Sequence, residues 1–359
     1  MEIKNRITLL RRKLAEKEIE AILVSQPDNL YYLSGCEGLE GYLLVTENKV
    51  IIATDFRYIE QAQRSGFNRP GYEIFRFSGK MAEWLPQLFA GIKIKRLGFE
   101  SSHFSFASYE QLAGILKSTP MSIDLLPVNG LIELLRMVKD PEEIELLIKA
   151  EKISDAAIEH VENILRPGMT EKTLAWEIEK FLRDNGSQPV PFELIVAAGP
   201  NSALPHAKPS DYIIHAGEPI VIDIGAKFKY YGSDLTRTLC IGKPDDTFKK
   251  VYETALDAQI KAISRIRAGM TGSEADAIAR EVIAQAGYGE AFGHSLGHGI
   301  GLVTHENPRV GPNSTDILTN GMVFTIEPGI YLSGWGGVRI EDDVVMENDK
   351  LRVISSARK

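Results

Sequence analysis

RPGMTEKTLAWEIEKFLRDNG, residues 166–186, returns 101 residues later as RAGMTGSEADAIAREVIAQAG, residues 267–287. Gly168, Met169, Thr170 and Gly186 fall on Gly269, Met270, Thr271 and Gly287. Each copy reads as a turn, a threonine cap and an amphipathic helix that ends at glycine. A helix is expected before each copy and strands after it. A repeat of about 100 residues is too long for a solenoid unit and fits two αβ halves related by a pseudo-twofold.

The likeness continues into the strands with a small drift. GEPIVIDIG, 217–225, lies over GMVFTIEPG, 321–329, at an offset of 104, which sets Asp223 over Glu327. The next strands set Asp234 over Glu341 at an offset of 107. Within PIVIDIGAKFKYYGSDLTRTLCIG, 219–242, two strands joined by a tight connection are expected. Ile220, Ile222 and Ile224 share one face, and Val221, Asp223 and Gly225 the other. Asp234 is placed on the return strand, with Thr236 and Thr238 on its face. A charged Asp amid apolar strand residues is costly unless it is paired or metal-bound. Antiparallel pairing brings Asp223 to Asp234, and the same holds for Glu327, in MVFTIEPG, and Glu341, in GVRIEDDVVM.

Four ionised acids in one place repel one another, and divalent cations relieve that repulsion. His298, in FGHSLGHGIG, adds a nitrogen donor. Carboxylates with one imidazole suit Mn, Co, Zn or Fe(II) better than a thiolate-seeking metal. Bridging carboxylates hold two ions about 3.5–4 Å apart and activate a shared water. Asp342 and Asp343 flank Glu341 and compete for its role; strand parity and the repeat favour Glu341.

Other chemistries find little support. No GxxxxGK[ST] phosphate loop and no Gly-x-Ser-x-Gly elbow occurs. Cys36 and Cys240 carry no nucleophile signature and imply no disulfide framework. At 44% hydrophobic and 25% charged the chain has an ordinary globular composition. A net charge of −8 argues against a nucleic-acid or anionic-membrane binder. No run of about 18 apolar residues predicts a membrane span. The N-terminus reads as an amphipathic helix with Ile3, Ile7, Leu10 and Leu14 on one face, not as a signal peptide, and a cytoplasmic setting is expected.

Residues 1 to about 125 alternate strand and helix. AILVS is a strand, Pro27 and Asp28 open a helix, and GYLLVT and KVIIATD form a hairpin around Glu47 and Asn48. RYIEQAQRSG, MAEWLPQLFAGI (with Pro86 inside) and FASYEQLAGILK read as helices, and YEIFRF and LGFE as strands. Asp140-Pro141 starts a long helix reaching about Leu165. The fold class expected is α/β, with a domain boundary near 125–130.

VIDIGAKFKYYGSDLTRT, GHSLGHGIGLVTHE, FTIEPGIY, GVRIEDDVVM and the junction LLRMVKDPEEIELLIKA resemble the pita-bread metallopeptidases, and within them the Xaa-Pro peptidases, prolidase and aminopeptidase P. The resemblance implies a creatinase-like α/β N-terminal domain, 1–127, and a pseudo-twofold pita-bread α+β catalytic domain, 128–359. By position it makes Asp223, Asp234, His298, Glu327 and Glu341 the ligands of two divalent metal ions, Mn expected first, with Co, Zn or Fe as alternatives. It assigns catalytic roles to His206, His305 and Glu327, and substrate contacts to His294, Arg339 and Tyr331. It implies hydrolysis of Xaa-Pro bonds by a metal-bridging hydroxide, with Glu327 as ligand and proton shuttle, His206 and His305 at the oxyanion, and Arg339 on a substrate carboxylate. A homodimer acting on proline-containing di- or oligopeptides is expected. Another pita-bread aminopeptidase or lyase, or a non-catalytic peptide-binding relative, are the alternative readings.

Overall fold

The computed structural model describes residues 3–65, 67, 71–120 and 122–359. The chain separates into two compact units, Met1–Arg136 and Met137–Lys359.

In the first unit the elements run α1 (Ile3–Glu16), β1 (Ala21–Val24), α2 (Pro27–Ser34), β2 (Tyr42–Thr46), β3 (Val50–Thr54), α3 (Ile59–Arg64), β4 (Tyr72–Arg76), α4 (Met81–Leu88), β5 (Arg96–Glu100), α5 (Phe106–Ser118), β6 (Asp124–Val128) and α6 (Leu131–Arg136). The strands form one sheet in the order β4-β3-β2-β1-β5-β6. The expected hairpin is the antiparallel pair β2–β3, in which Val45 faces Val50. Every residue of β1 and β3 is buried, so both faces of the sheet centre are covered. On one face Leu23, Leu44 and Leu97 pack with Trp84, Leu85 and Leu88 of α4 and Leu112 and Leu116 of α5. Pro86 lies inside α4. Of the helix expected at RYIEQAQRSG, Ile59–Arg64 is helical, and Gly66 lies outside the described residues.

The second unit contains α7 (Pro141–Ile164), α8 (Glu171–Asp184), β7 (Ile195–Ala198), β8 (Pro219–Ile224), β9 (Lys227–Phe228), β10 (Tyr231–Gly232), β11 (Leu235–Cys240), α9 (Asp246–Arg265), α10 (Gly272–Gln285), β12 (Gly297–Gly299), β13 (Glu306–Val310), β14 (Val323–Ile326), β15 (Gly329–Leu332), β16 (Gly336–Arg339), β17 (Asp342–Glu347) and β18 (Lys350–Val353). The long helix begins where Asp140-Pro141 predicts. Asp140 accepts from the N–H groups of Glu142 and Glu143, and Glu143 reaches back to the Asp140 N–H.

The two copies of the repeat fold alike. Thr170 caps α8 through the Thr173 N–H, and Thr271 caps α10 through the Glu274 N–H. Gly168 and Gly269 hold φ of 94° and 91°, and their N–H groups donate to Ile214 O and Leu318 O. Each half has its own apolar core. α7 and α8 pack on Val196, Ile220, Ile222 and Leu235, and α9 and α10 pack on Phe324, Ile326, Val338 and Val344. The first half carries the sheet β11-β8-β7, the second carries β13-β12-β14-β17-β18, and the separate ribbon β15–β16 packs against β8 and β11. Among the described residues no helix is long and apolar enough to cross a membrane, and both cysteines are free.

One expectation is corrected. The link between β8 and β11 is not a tight connection: it carries a small ladder of its own, β9–β10. Its turn residues Lys229 and Tyr230 have φ of 46° and 73°, the signs of a primed hairpin turn. Such turns usually announce themselves by Asn-Gly, where this one has Lys229-Tyr230. As a result Asp234 lies one residue before β11 rather than within it.

Candidate metal centre and active site

The four acids sit where strands end. In the β8–β11 ladder Asp223 lies directly opposite Thr236, and Leu235 opposite Ile224, so Asp234 follows on the same edge. In the other half Ile326 pairs with Asp342 as the last rung of β14–β17. Glu327 and Glu341 are the residues immediately beyond that rung, in the break between β14 and β15 and the break between β16 and β17. His298 is the middle residue of β12, squeezed between β13 and β14. A Cβ at Gly297 would collide with Thr325 O, and one at Gly299 with Asn307 O. The glycines on either side of the histidine are therefore demanded by close backbone approach.

These side chains share one cavity of about 700 Å³, walled also by Phe192, Leu194, Ile195, His206, His294, His305 and Arg339. Asp234, His298 and Glu341 each present a donor atom within 4.8 Å of the others. His298 Nε2 lies 3.6 Å from Asp234 Oδ2 and 3.3 Å from Glu327 Oε1, while its Nδ1 lies 3.1 Å from Gly299 O. Glu327 Oε1 accepts from Thr325 Oγ1 at 3.0 Å, and Glu341 Oε2 from Thr236 Oγ1 at 2.6 Å. Asp223 Oδ2 accepts from Arg339 Nη2 at 2.6 Å, and its buried Oδ1 has no hydrogen-bond partner among the described residues.

Burial and mutual repulsion dominate the electrostatics. Burial, then the charges of Glu341 and Asp223, holds the Asp234 carboxyl well above its ordinary range. Burial, then Glu327 and Asp223, does the same to Glu341, and burial raises Glu327. Burial lowers His298 and His294, and with the neighbouring His298 it lowers His305 to about 4. At neutral pH the imidazoles are therefore uncharged and able to ligate or to donate one N–H. Buried acids that resist ionisation, an orphaned Asp223 oxygen and a neutral imidazole form a donor set that divalent cations complete.

A second network backs the cavity. Tyr331 OH accepts from Arg339 Nη1 at 2.7 Å and lies 3.0 Å from His294 Nε2. Burial raises the Tyr331 phenol to about 12. Arg339 also donates to Thr236 Oγ1 and Pro205 O, so its guanidinium is committed within the protein. The two acids that flank Glu341 turn away from the cavity. Asp342 pairs with Arg237, and Asp343 accepts the Asp234 N–H.

Residues 145–348 match the metallopeptidase family M24, and residues 6–138 match the creatinase/prolidase N-terminal domain. The chain belongs to the M24 metallopeptidases. It is 39% identical over 346 residues to the Xaa-Pro dipeptidase of Pyrococcus horikoshii, covering 96% of this chain and 95% of that one. Among solved structures it is similar to an Xaa-Pro dipeptidase from Bacillus anthracis, with TM-score 0.94, 38% identity, and 100% and 99% of the two chains covered. It is also similar to the X-Pro aminopeptidase from Thermotoga maritima, with TM-score 0.88, 36% identity, and 98% of each chain covered. The creatinase-like and pita-bread architecture expected from the motifs is thus the architecture found.

Several residues that shape this M24 site escaped the sequence reading. Thr325 accepts the His298 N–H and orients Glu327. Asp276 and Arg280 on α10 clamp the loop before His298, through Leu296 N and the carbonyls of Phe292 and His294. A buried acid and a base four apart on an amphipathic helix were the available signal.

Proposed function

We propose that this M24 chain hydrolyses the peptide bond preceding proline, with two divalent ions held by Asp223, Asp234, His298, Glu327 and Glu341. The observation that carries the reading is the convergence of four buried or part-buried acids and one neutral imidazole on a single cavity. When bound, the ions supply Lewis-acid polarisation of the scissile carbonyl and a lowered water pKa. Manganese is the metal we propose, because oxygen donors outnumber the single nitrogen.

The chain's own residues do the rest. Glu327 takes the proton of the attacking water and delivers it to the leaving proline nitrogen, with Thr325 fixing its carboxyl rotamer. His206 and His305 face the same cavity and donate N–H groups to the oxyanion of the tetrahedral state. His294 orients the substrate from the cavity wall, and Tyr331 acts from behind it through the contact of its OH with His294 Nε2. The Xaa-Pro amide has no N–H, so no strand-like substrate hydrogen bond is needed at that position.

Three long cationic side chains line the cavity: Lys208, Arg309 and Arg339. Arg339 is engaged by Asp223, Thr236, Tyr331 and Pro205, and Lys208 by Glu193, whereas Arg309 Nε makes a long hydrogen bond of 3.4 Å to Ser295 Oγ. We therefore assign Arg339 to holding Asp223 and Tyr331, and Arg309 to the free carboxylate of a dipeptide. The T. maritima neighbour favours a second reading, release of an N-terminal residue from longer Xaa-Pro peptides. A cytoplasmic homodimer belongs to the same proposal and rests on the family resemblance.

Exchange of Glu327 for Gln tests the mechanism. Turnover of Ala-Pro in demetallated, reloaded protein falls by about 100-fold or more, the scale of lost general acid–base catalysis. Full metal-dependent turnover in that variant refutes it.

A further inference from the structure

Behind Asp234 and Glu341, at the starts of β11 and β17, lies a polar cluster that the proposed reaction does not use. Its centre is Arg237 on β11, 1% exposed. Arg237 Nη1 donates to the carbonyls of Thr236 at 2.9 Å and Glu341 at 2.5 Å. Its Nη2 donates to Asp342 Oδ1 and Ala357 O, both at 2.8 Å, and Nε donates to Arg358 O at 2.8 Å. A guanidinium has five N–H donors in one fixed plane, and these acceptors take all of them.

Ala357 and Arg358 belong to residues 354–359, which form neither helix nor strand. The segment is nevertheless tied down. Asp155 on α7 accepts from Ser356 N at 2.8 Å, Ser356 Oγ at 2.7 Å and Ala357 N at 2.7 Å. Lys359 Nζ lies 2.5 Å from Asp342 Oδ2. Ser355 Oγ accepts the Asp343 N–H at 2.9 Å, and Asp343 in turn accepts the Asp234 N–H at 3.2 Å.

Two metal-binding acids are thus held from the rear. The Glu341 carbonyl is fixed by Arg237, its N–H by Thr236 O at 3.1 Å, and its carboxylate by Thr236 Oγ1. The Asp234 main chain is fixed through Asp343. We infer that Arg237 is a positioning residue for the metal centre, seated by residues 354–359 and by Asp155, which anchors them. The inference rests on the metal site proposed above. Lysine cannot replace this arginine, because an ammonium has three donors and no planar fork.

The test is the Mn²⁺ dissociation constant, measured by calorimetry on demetallated full-length protein. Arg237→Lys weakens binding about 10- to 100-fold, the usual scale for a group that orients a ligand from outside the coordination sphere. Asp155→Ala, which touches no ligand, weakens it severalfold, and the double variant is no worse than Arg237→Lys alone. At saturating Mn²⁺ the KM for Ala-Pro is unchanged in both. A lowered Tm with Mn²⁺ affinity within twofold of wild type assigns a purely structural role and overturns the inference. Should Arg237→Lys not fold, Asp155→Ala decides alone by the same criterion. Wild-type protein that binds no divalent ion overturns the metal-site reading itself, whatever the variants do.

Discussion

Asp234→Asn separates repulsion from coordination at the proposed metal centre. Asp234 is 5% exposed, and the charges of Glu341, Asp223, Asp343 and Glu327 all oppose its ionisation. Asn keeps the shape and removes the charge. In metal-free protein the substitution replaces a carboxyl that burial and its neighbours already hold back from ionising, so stability stays level or rises. In metal-saturated protein the sign reverses. At a free metal concentration 100 times its Kd, wild type gains about 2.7 kcal/mol from one bound ion, a gain the variant loses if Asp234 is a ligand. For a unit the size of Met137–Lys359 one kcal/mol moves Tm by about 2–4 °C, so reloading raises the wild-type Tm by about 5–11 °C. Differential scanning calorimetry of demetallated and Mn²⁺-reloaded proteins reads both effects. A variant that is more than ~1 kcal/mol less stable without metal, or that gains as much as wild type on reloading, refutes the reasoning.

Three further outcomes follow from other parts of the molecule. Burial, then the charge of Asp155, pushes Glu151 up from 4.5 to about 8, so its stabilising contribution is present below 4.5 and lost as pH rises through 8. In urea unfolding of metal-loaded protein, wild type therefore weakens between pH 6 and 8 by at most about 1.4 kcal/mol per pH unit relative to Glu151→Gln; parallel curves refute this. Arg309→Ala raises the KM for Ala-Pro by about 10-fold or more and leaves kcat and the KM for Ala-Pro amide alone, since a charged hydrogen bond is worth about 1.5–3 kcal/mol; equal losses on both substrates exclude a carboxylate contact. Glu100 accepts from Ser25 N, Gln26 N and Asn29 Nδ2 at the start of α2. Glu100→Ala leaves the Ser25 and Gln26 N–H groups without this acceptor, while Asn29 Nδ2 keeps Glu133, and lowers the stability of the first unit by about 3 kcal/mol, read from the denaturation midpoint of Trp84 fluorescence with Trp176 and Trp335 replaced by Phe.

The sequence carried the halves of the catalytic unit because their signals are local. A threonine cap, a positive-φ glycine and an apolar helix stripe lie within one 21-residue window, twice over. The face of Asp223 was legible as well, since alternation fixes the face of a residue inside a strand. Alternation fails at strand ends, and there Asp234, Glu327 and Glu341 sit, displaced by the β9–β10 ladder and by the breaks after β14 and β16. The supporting polar groups were least legible. Arg237 meets Ala357 and Arg358 across about a third of the chain, and Arg339 meets Pro205 across 134 residues. No periodicity encodes such pairs. The donors of Arg339 likewise face Asp223, Thr236, Tyr331 and Pro205, partners that no local pattern announces.

The measurement closest to the central claim is hydrolysis of Ala-Pro and Ala-Pro-Ala by demetallated protein before and after metal is restored. The account predicts no cleavage without metal and recovery with Mn²⁺, of the dipeptide at least, while Met-Ala stays intact. Failure to cleave either proline peptide with Mn, Co, Zn or Fe(II) contradicts it.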